Sequence, residues 1–158
     1  MSKTTIIAEP GKQEVIVTRI FDAPPELDFK ATTDPKAIPH WWGPAMLKTV
    51  VEAMEPKHGG KWRILHTDPA GQVYGFQGVY HAVIEPQRIV RTFEYEGVPG
   101  HVMLETTTME NIGGKTKLTV QSLFQSIEDR NGMIVTGMER GVTESHDRLE
   151  ALLVKSGN

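Results

Sequence analysis

The chain contains no cysteine, which excludes disulfide bonds and metal sites built on thiolates. Such a composition suits a reducing compartment, so we expect a cytoplasmic protein. No apolar stretch approaches the roughly 20 residues that span a bilayer. The first ten residues also lack the basic segment and apolar run of a secretory signal. We therefore expect neither a membrane span nor export.

Charge and histidine spacing narrow the partners further. With 17 basic and 20 acidic residues, the net charge of -3 leaves no basic stripe for nucleic acid. The 6 histidines show neither H-x-H nor H-E-x-x-H spacing, so no short segment predicts a metal site. We expect no metal, no cofactor and no nucleic-acid partner. The length of 158 residues fits one domain, which we place at residues 12–156 behind a flexible tail, residues 1–11.

The order of the predicted elements indicates an α+β fold. A strand at residues 14–21 precedes two short helices, and Pro39 distorts the second helix, residues 34–42, into a 3-10 turn. Period-two patterns and short turns then predict an antiparallel meander. Its strands occupy residues 45–55, 61–67, 73–84, 88–96, 101–109 and 116–124.

The last segment, residues 126–155, predicts one long amphipathic helix. Apolar residues recur at helical spacing on one face: Ile134, Met138, Val142, Leu149 and Leu152. Gly137 and Gly141 each weaken a helix by about 1 kcal/mol relative to alanine. We therefore expect either a packing reason for these glycines or a break near residues 132–137. The apolar stripe must be buried, and the concave face of the sheet is the available partner.

Short motifs in a fixed order resemble the AHSA-type proteins of the SRPBCC superfamily, which also includes START lipid-transfer domains and birch-pollen-allergen-like proteins. The motifs are Phe21-Asp-Ala-Pro-Pro-Glu-Leu, Thr33-Asp-Pro, Trp41-Trp-Gly-Pro, Gly59-Gly-Lys-Trp, Phe76-Gln-Gly-Val-Tyr, Gly114-Lys-Thr-Lys-Leu-Thr, Gly137-Met-Glu-Arg-Gly and Asp147-Arg-Leu-Glu. The resemblance covers about residues 13–155. It implies the helix-grip fold, in which a curved antiparallel sheet encloses a hydrophobic cavity against a long C-terminal helix. It implies no single activity.

In that fold we expect one set of side chains to line the cavity: Trp41, Trp42, Trp62, Ile64, His66, Phe76, Tyr80, Phe93, Met103, Phe124, Met138 and Val142. The two adjacent tryptophans either stack on an aromatic ligand or anchor their corner in the core. His66 either orients a ligand, acts as an acid or base, or is an ordinary strand histidine. Tyr80 is either a polar anchor in the cavity or a tyrosine at a sheet edge.

Three functions fit these residues. The first, which we favour, is binding of a small hydrophobic molecule, lipid-like or aromatic, without an assigned catalytic residue. The second is a cyclase-like or hydrolase-like enzyme, which predicts several polar groups with shifted pKa values converging in the cavity. The third is a chaperone-interaction module, which predicts an exposed patch and little cavity. The resemblance implies an extra N-terminal domain in the full chaperone activator, so we do not expect full activator function. A homodimer stays open.

Two residues depart from the pattern that the resemblance implies. Asp28 stands where relatives usually carry an aliphatic residue, and His146 stands where they usually carry Leu or Tyr. Because the short helices of this fold brace the last helix, the two side chains either form a carboxylate–imidazole pair or both face solvent.

Overall fold

One curved antiparallel sheet of eight strands is the main element of residues 3–156, the part of the chain that this computed structural model describes. The strands lie side by side in the order β1-β2-β8-β7-β6-β5-β4-β3. The predicted meander is therefore present, because β3 to β8 are neighbours in chain order. The strands are β1 Thr5–Ile7, β2 Glu14–Phe21, β3 Lys48–Met54, β4 Lys61–Thr67, β5 Val73–Ile84, β6 Arg88–Tyr95, β7 Val102–Ile112 and β8 Lys115–Leu123.

Strand β1 lies in the segment that the sequence predicts as a flexible tail. Thr5–Ile7 pair with β2, and Ile6 faces Val17 across the ladder. Further along the segment, the buried Arg130 donates a hydrogen bond from Nη1 to the carbonyl of Glu9 at 2.6 Å. The tail prediction is thus corrected for these residues. Three residues are too few to show a strand period, and the contacts that hold them come from distant segments.

The helices follow β2 and close the chain. They are α1 Pro25–Thr33, α2 Ile127–Val135 and α3 Met138–Ser156, and a 3-10 turn at Ile38–His40 replaces the second short helix. Gly137, with φ +85°, separates α2 from α3, so the predicted break is present. Ser126 begins α2 by accepting a hydrogen bond from the Asp129 amide at 3.0 Å. No helix of residues 3–156 is long and apolar enough to cross a bilayer.

The core forms where α1 and α3 cover the concave face of the sheet. Leu149 and Leu153 of α3 are each 1% exposed and belong to one cluster with Phe21 and Phe29. A second cluster, around Val15, lies under α2 and the beginning of α3. The predicted α+β helix-grip architecture is confirmed: a long C-terminal helix packs across a curved antiparallel sheet.

Asp28 is buried without a compensating partner. It is 0% exposed, and neither carboxylate oxygen hydrogen-bonds to any residue that the structure describes. Burial, and to a smaller extent the nearby charge of Glu150, raise the pKa of this carboxyl to about 7. His146 is also buried but bonds to Thr4, with Nδ1 and Oγ1 3.1 Å apart. Neither interpretation of the two residues holds, because they are not hydrogen-bonded to each other and neither faces solvent.

We predict that Asp28→Asn stabilises the protein at neutral to alkaline pH. The folded pKa of about 7 lies above the unfolded value of 3.8, so the folded state holds the proton over this interval. The free energy of unfolding therefore falls as pH rises through the interval, by up to about 1.4 kcal/mol per pH unit. Asparagine removes this loss. Urea denaturation should show a larger gain for the variant at about pH 8 than at about pH 5.

Asp22→Asn is the matched control, because Asp22 is exposed and precedes the same helix. It should not change the pH dependence. The NMR titration of His146 should also be the same in Asp28→Asn and the wild type, since no hydrogen bond joins the two side chains and the charge of Asp28 is not a cause of the His146 pKa shift. An equal stability gain at both pH values would contradict the buried-carboxyl account.

Candidate ligand site

A cavity of about 490 Å³ lies between the concave face of the sheet and the last two helices. Its floor comes from alternate residues of β2, β4, β5, β6, β7 and β8, because side chains two apart on a strand share one face. Its cover comes from α2, α3 and the loop after the 3-10 turn. The lining is mainly apolar and includes Val17, Leu47, Leu118, Val120, Met133 and Leu149.

The two tryptophans lie in the corner formed by residues 41–44, and their surroundings differ. Trp41 is 8% exposed and donates from Nε1 to the carbonyl of Ala31 at 2.9 Å, so it anchors the corner to α1. Trp42 belongs to an aromatic cluster at the cavity wall, with its ring centre 4.9 Å from His66, 5.5 Å from Phe76 and 6.4 Å from Phe93. Both residues line the cavity.

Gly43, directly after the tryptophans, is bonded to α3 on both sides of its backbone. Its amide donates to Ser145 Oγ at 2.8 Å, and its carbonyl accepts from Arg148 Nη1 at 2.6 Å. Its φ of +83° favours glycine. A Cβ at this position would lie 2.5 Å from Cε1 of the His66 ring. The backbone at residue 43 can therefore pack against the His66 ring only because glycine has no side chain.

His66 lies on the cavity wall but is nearly covered, at 5% exposed. Its Nε2 has no hydrogen-bond partner within the described residues. Burial lowers the pKa of the imidazole, a backbone hydrogen bond with Trp42 opposes this shift, and the charge of Arg148 lowers the pKa further. The side chain is therefore neutral at physiological pH and leaves one ring nitrogen without a protein partner.

A polar row crosses the floor of the cavity from strand to strand. Tyr80 pairs with Arg91, Arg91 with Glu105, and Glu105 with Ser122. Arg91 Nε donates to Glu105 Oε1 at 2.7 Å, and the two side chains are only 11% and 15% exposed. Arg91, Glu105 and Ser122 all line the cavity. An ion pair thus stands in an otherwise apolar wall.

His146 closes another part of the cavity, toward β1. Its ring is 6% exposed and packs edge-on against Phe21, 5.5 Å between ring centres. Thr4 Oγ1 bonds to this ring and accepts from Arg19 Nη1, which also bonds to Asp147 at 2.7 Å. Burial and then the charge of Arg19 lower the pKa of His146 to about 4, and Asp147 offsets part of the shift. This imidazole is also neutral at physiological pH.

Most of the side chains predicted to line the cavity are on its wall: Trp41, Trp42, His66, Phe76, Phe93, Met103, Phe124, Met138 and Val142. Three others lie behind the wall, and this corrects the prediction for them. Trp62 is 1% exposed because the Arg91 guanidinium covers its ring at 4.0 Å. Ile64 and Tyr80 are buried in the core at 0% and 1% exposed. Tyr80 is thus not at a sheet edge either.

The sequence interpretation missed the polar row, although the strand period contains it. Arg91 lies two residues before Phe93, Glu105 two after Met103, and Ser122 two before Phe124. Each therefore shares the face of a residue that was expected to point inward. The expected lining contains only aromatic, apolar and histidine side chains, whereas the alternation also places these three polar side chains in the cavity.

A curved antiparallel sheet that encloses a cavity against a long C-terminal helix defines a helix-grip protein. Residues 22–154 match the family described as Activator of Hsp90 ATPase homolog 1-like protein, and the chain belongs to this family. The predicted AHSA-type relationship is therefore confirmed. No curated protein matches the chain.

Solved structures support the same relationship. A protein from Rhodobacter sphaeroides is 25% identical with a TM-score of 0.89, covering 97% of this chain and 99% of that chain. One from Staphylococcus epidermidis is 26% identical with a TM-score of 0.81, covering 96% and 94%. The AHSA1 protein from Silicibacter pomeroyi is 22% identical with a TM-score of 0.74, covering 90% and 99%, and shows the fold alone.

We predict that Gly43→Ala destabilises the protein and disturbs the cavity wall. The substitution adds left-handed backbone strain of about 1 to 2 kcal/mol and a clash with the His66 ring. Gly71→Ala is the matched control, because Gly71 has φ +87° and nothing within 4 Å of the added Cβ. Urea denaturation should show the larger loss for Gly43→Ala, and the His66 ring resonances should move in that variant alone. Equal losses would mean that the contact with His66 has no energetic effect.

Proposed function

We propose that the protein binds a small, largely apolar molecule in the cavity between the sheet and α3. The carrying observation is the cavity of about 490 Å³ itself. Its volume falls in the range of roughly 300 to 1,000 Å³ typical of small-molecule sites. A mainly apolar recess of this size with a few polar groups is the usual form of a small-molecule site, which supports an apolar ligand here.

The character of the wall supports an aromatic or lipid-like ligand. Trp42, Phe76 and Phe93 present ring surfaces to the cavity from the corner and from two neighbouring strands. Met103, Met133 and Met138 add flexible side chains on the floor and on both sides of the helix break. Methionine adapts to irregular shapes, so this lining suits ligands of variable outline.

The other two functions have less support. His66 and His146 have lowered pKa values, as an enzyme predicts, but in residues 3–156 no hydrogen bond joins either ring to a carboxylate. A chaperone-interaction module predicts little internal space, and the cavity disfavours it. A homodimer and a cytoplasmic location stay predictions.

We predict that filling the cavity abolishes binding of an apolar probe. Val142 lines the cavity from α3, whereas Val154 on the same helix is 45% exposed and lies outside it. Val142→Trp should weaken binding of N-phenyl-1-naphthylamine by at least about tenfold, and Val154→Trp should leave it unchanged. Fluorescence titration measures both, with circular dichroism to show that each variant is folded.

Two results would overturn the proposed function. One is a wild-type protein that does not enhance the fluorescence of the probe at any concentration. The other is equal binding by the two tryptophan variants, which would place the probe on the surface.

A further inference from the structure

We propose that the bound molecule carries no net charge and presents a hydrogen-bond acceptor beside a donor, as an amide or a hydroxy ketone does. This inference rests on the proposed binding function and concerns the chemistry at the polar row. It distinguishes such a ligand from a free fatty acid or an aromatic carboxylate, which would fit the same apolar volume.

The Arg91–Glu105 ion pair lies on the cavity wall. Arg91 and Glu105 lie opposite each other on β6 and β7 and face the cavity together. Phe93 and Met103 form the next pair on the same face of these two strands, and they also face the cavity. A ligand lying on these apolar residues would place one end at the ion pair.

Both members of the ion pair keep hydrogen-bonding groups that their mutual bond does not use. Glu105 receives its hydrogen bond from Arg91 Nε, so the terminal guanidinium nitrogens keep their N–H donors. The Tyr80 hydroxyl lies within reach of the guanidinium and can accept one of these N–H groups, and it has no other partner among the described residues. The remaining N–H groups are left for a ligand. The carboxylate retains acceptor capacity at Oε2. Donors and an acceptor thus stand side by side on the wall.

The charged groups of the cavity wall balance each other. Glu105 neutralises Arg91 at 2.7 Å. His66 and His146 are neutral at physiological pH because burial lowers the pKa of both rings. Of the described residues that line the cavity, none is therefore a cation without a carboxylate partner.

The wall favours a neutral occupant over an anionic one. A buried anion needs a cation or several donors to offset its loss of water, and a ligand carboxylate would also lie beside Glu105. A neutral group with a carbonyl and an N–H or O–H can accept from Arg91 and donate to Glu105 without displacing either. The pair then stays intact and both of its members are used.

The test uses four naphthalenes that differ at one substituent: 2-naphthamide, 2-acetonaphthone, 2-naphthoate and naphthalene itself. Displacement of N-phenyl-1-naphthylamine, measured at about pH 8 where the acid is ionised, ranks their affinities. The amide should bind most tightly, because it both accepts and donates, and the ketone should follow. The carboxylate should bind at least about tenfold more weakly than the amide.

Glu105→Gln supplies a second, independent result. It removes the negative charge but keeps the size of the side chain and an oxygen that can accept from Arg91. Arg91 then becomes an uncompensated cation, so the ratio of naphthoate to naphthamide affinity should rise by at least about tenfold. Glu52→Gln is the matched control, since Glu52 pairs with Arg63 at 2.7 Å away from the cavity. It should leave the ratio unchanged.

Each outcome separates this inference from the function on which it rests. If the probe does not bind to the wild type, both are wrong. If the probe binds but neither the amide nor the ketone displaces it, the inference alone is wrong. If naphthalene binds but the carboxylate equals or exceeds the amide in the wild type, the inference alone is wrong. An affinity ratio that Glu105→Gln does not change would also overturn it.

Discussion

Hydrogen bonds between α3 and the tryptophan corner hold the cavity together. Gly43 is bonded to Ser145 through its amide and to Arg148 through its carbonyl, and the next loop residue but one, Ala45, donates to Glu144 at 2.7 Å. These bonds fix the loop against one face of the helix. Together with the Trp41 bond to α1 and the packing of Trp42 on His66 and Phe76, they hold Trp42 over the sheet as one wall of the cavity.

The polar row has a different physical character from the corner. A buried ion pair is weak grounds for stability, because both charges lose their water and apolar residues of similar volume often serve as well. Arg91 and Glu105 nevertheless stand on the cavity floor, and Trp62 stacks beneath the guanidinium. The arrangement orients donors and an acceptor at fixed positions, which suits recognition better than it suits packing.

Much of the fold follows from the sequence because strand alternation, turn residues and helix breaks are local signals. The meander, the 3-10 turn at Pro39 and the break at Gly137 all have causes within a few residues of where they occur. Strand β1 could not be predicted in this way, because its three residues show no period and the segment is also held by Arg130, which lies far along the chain and bonds to Glu9. A local pattern contains no information on such partners.

The residues of the site also fall into two groups, those that a local pattern predicts and those whose positions depend on distant contacts. Phe93, Met103 and Phe124 were expected at the cavity because they are apolar and alternate with polar neighbours. Trp62 has the same pattern but lies behind the wall, since its exposure depends on Arg91 from another strand. Burial of Asp28 and His146 likewise depends on how the helices pack. The local period determines which face of the sheet a side chain lies on. Tertiary contacts determine whether it lines the cavity or is buried behind the wall.

The bonds that fix the corner also determine when the cavity can form. Gly43 and Ser145 are 102 residues apart in the chain. A ribosome adding about 5 to 20 residues per second takes roughly 5 to 20 s to cover that distance. During this interval Phe76 and Phe93 are synthesised before the helix that covers them, so the surface that would hold a ligand is first an uncovered apolar face of the nascent chain. The protein therefore passes through an aggregation-prone stage during its own synthesis, and a ligand can be enclosed only after α3 has docked.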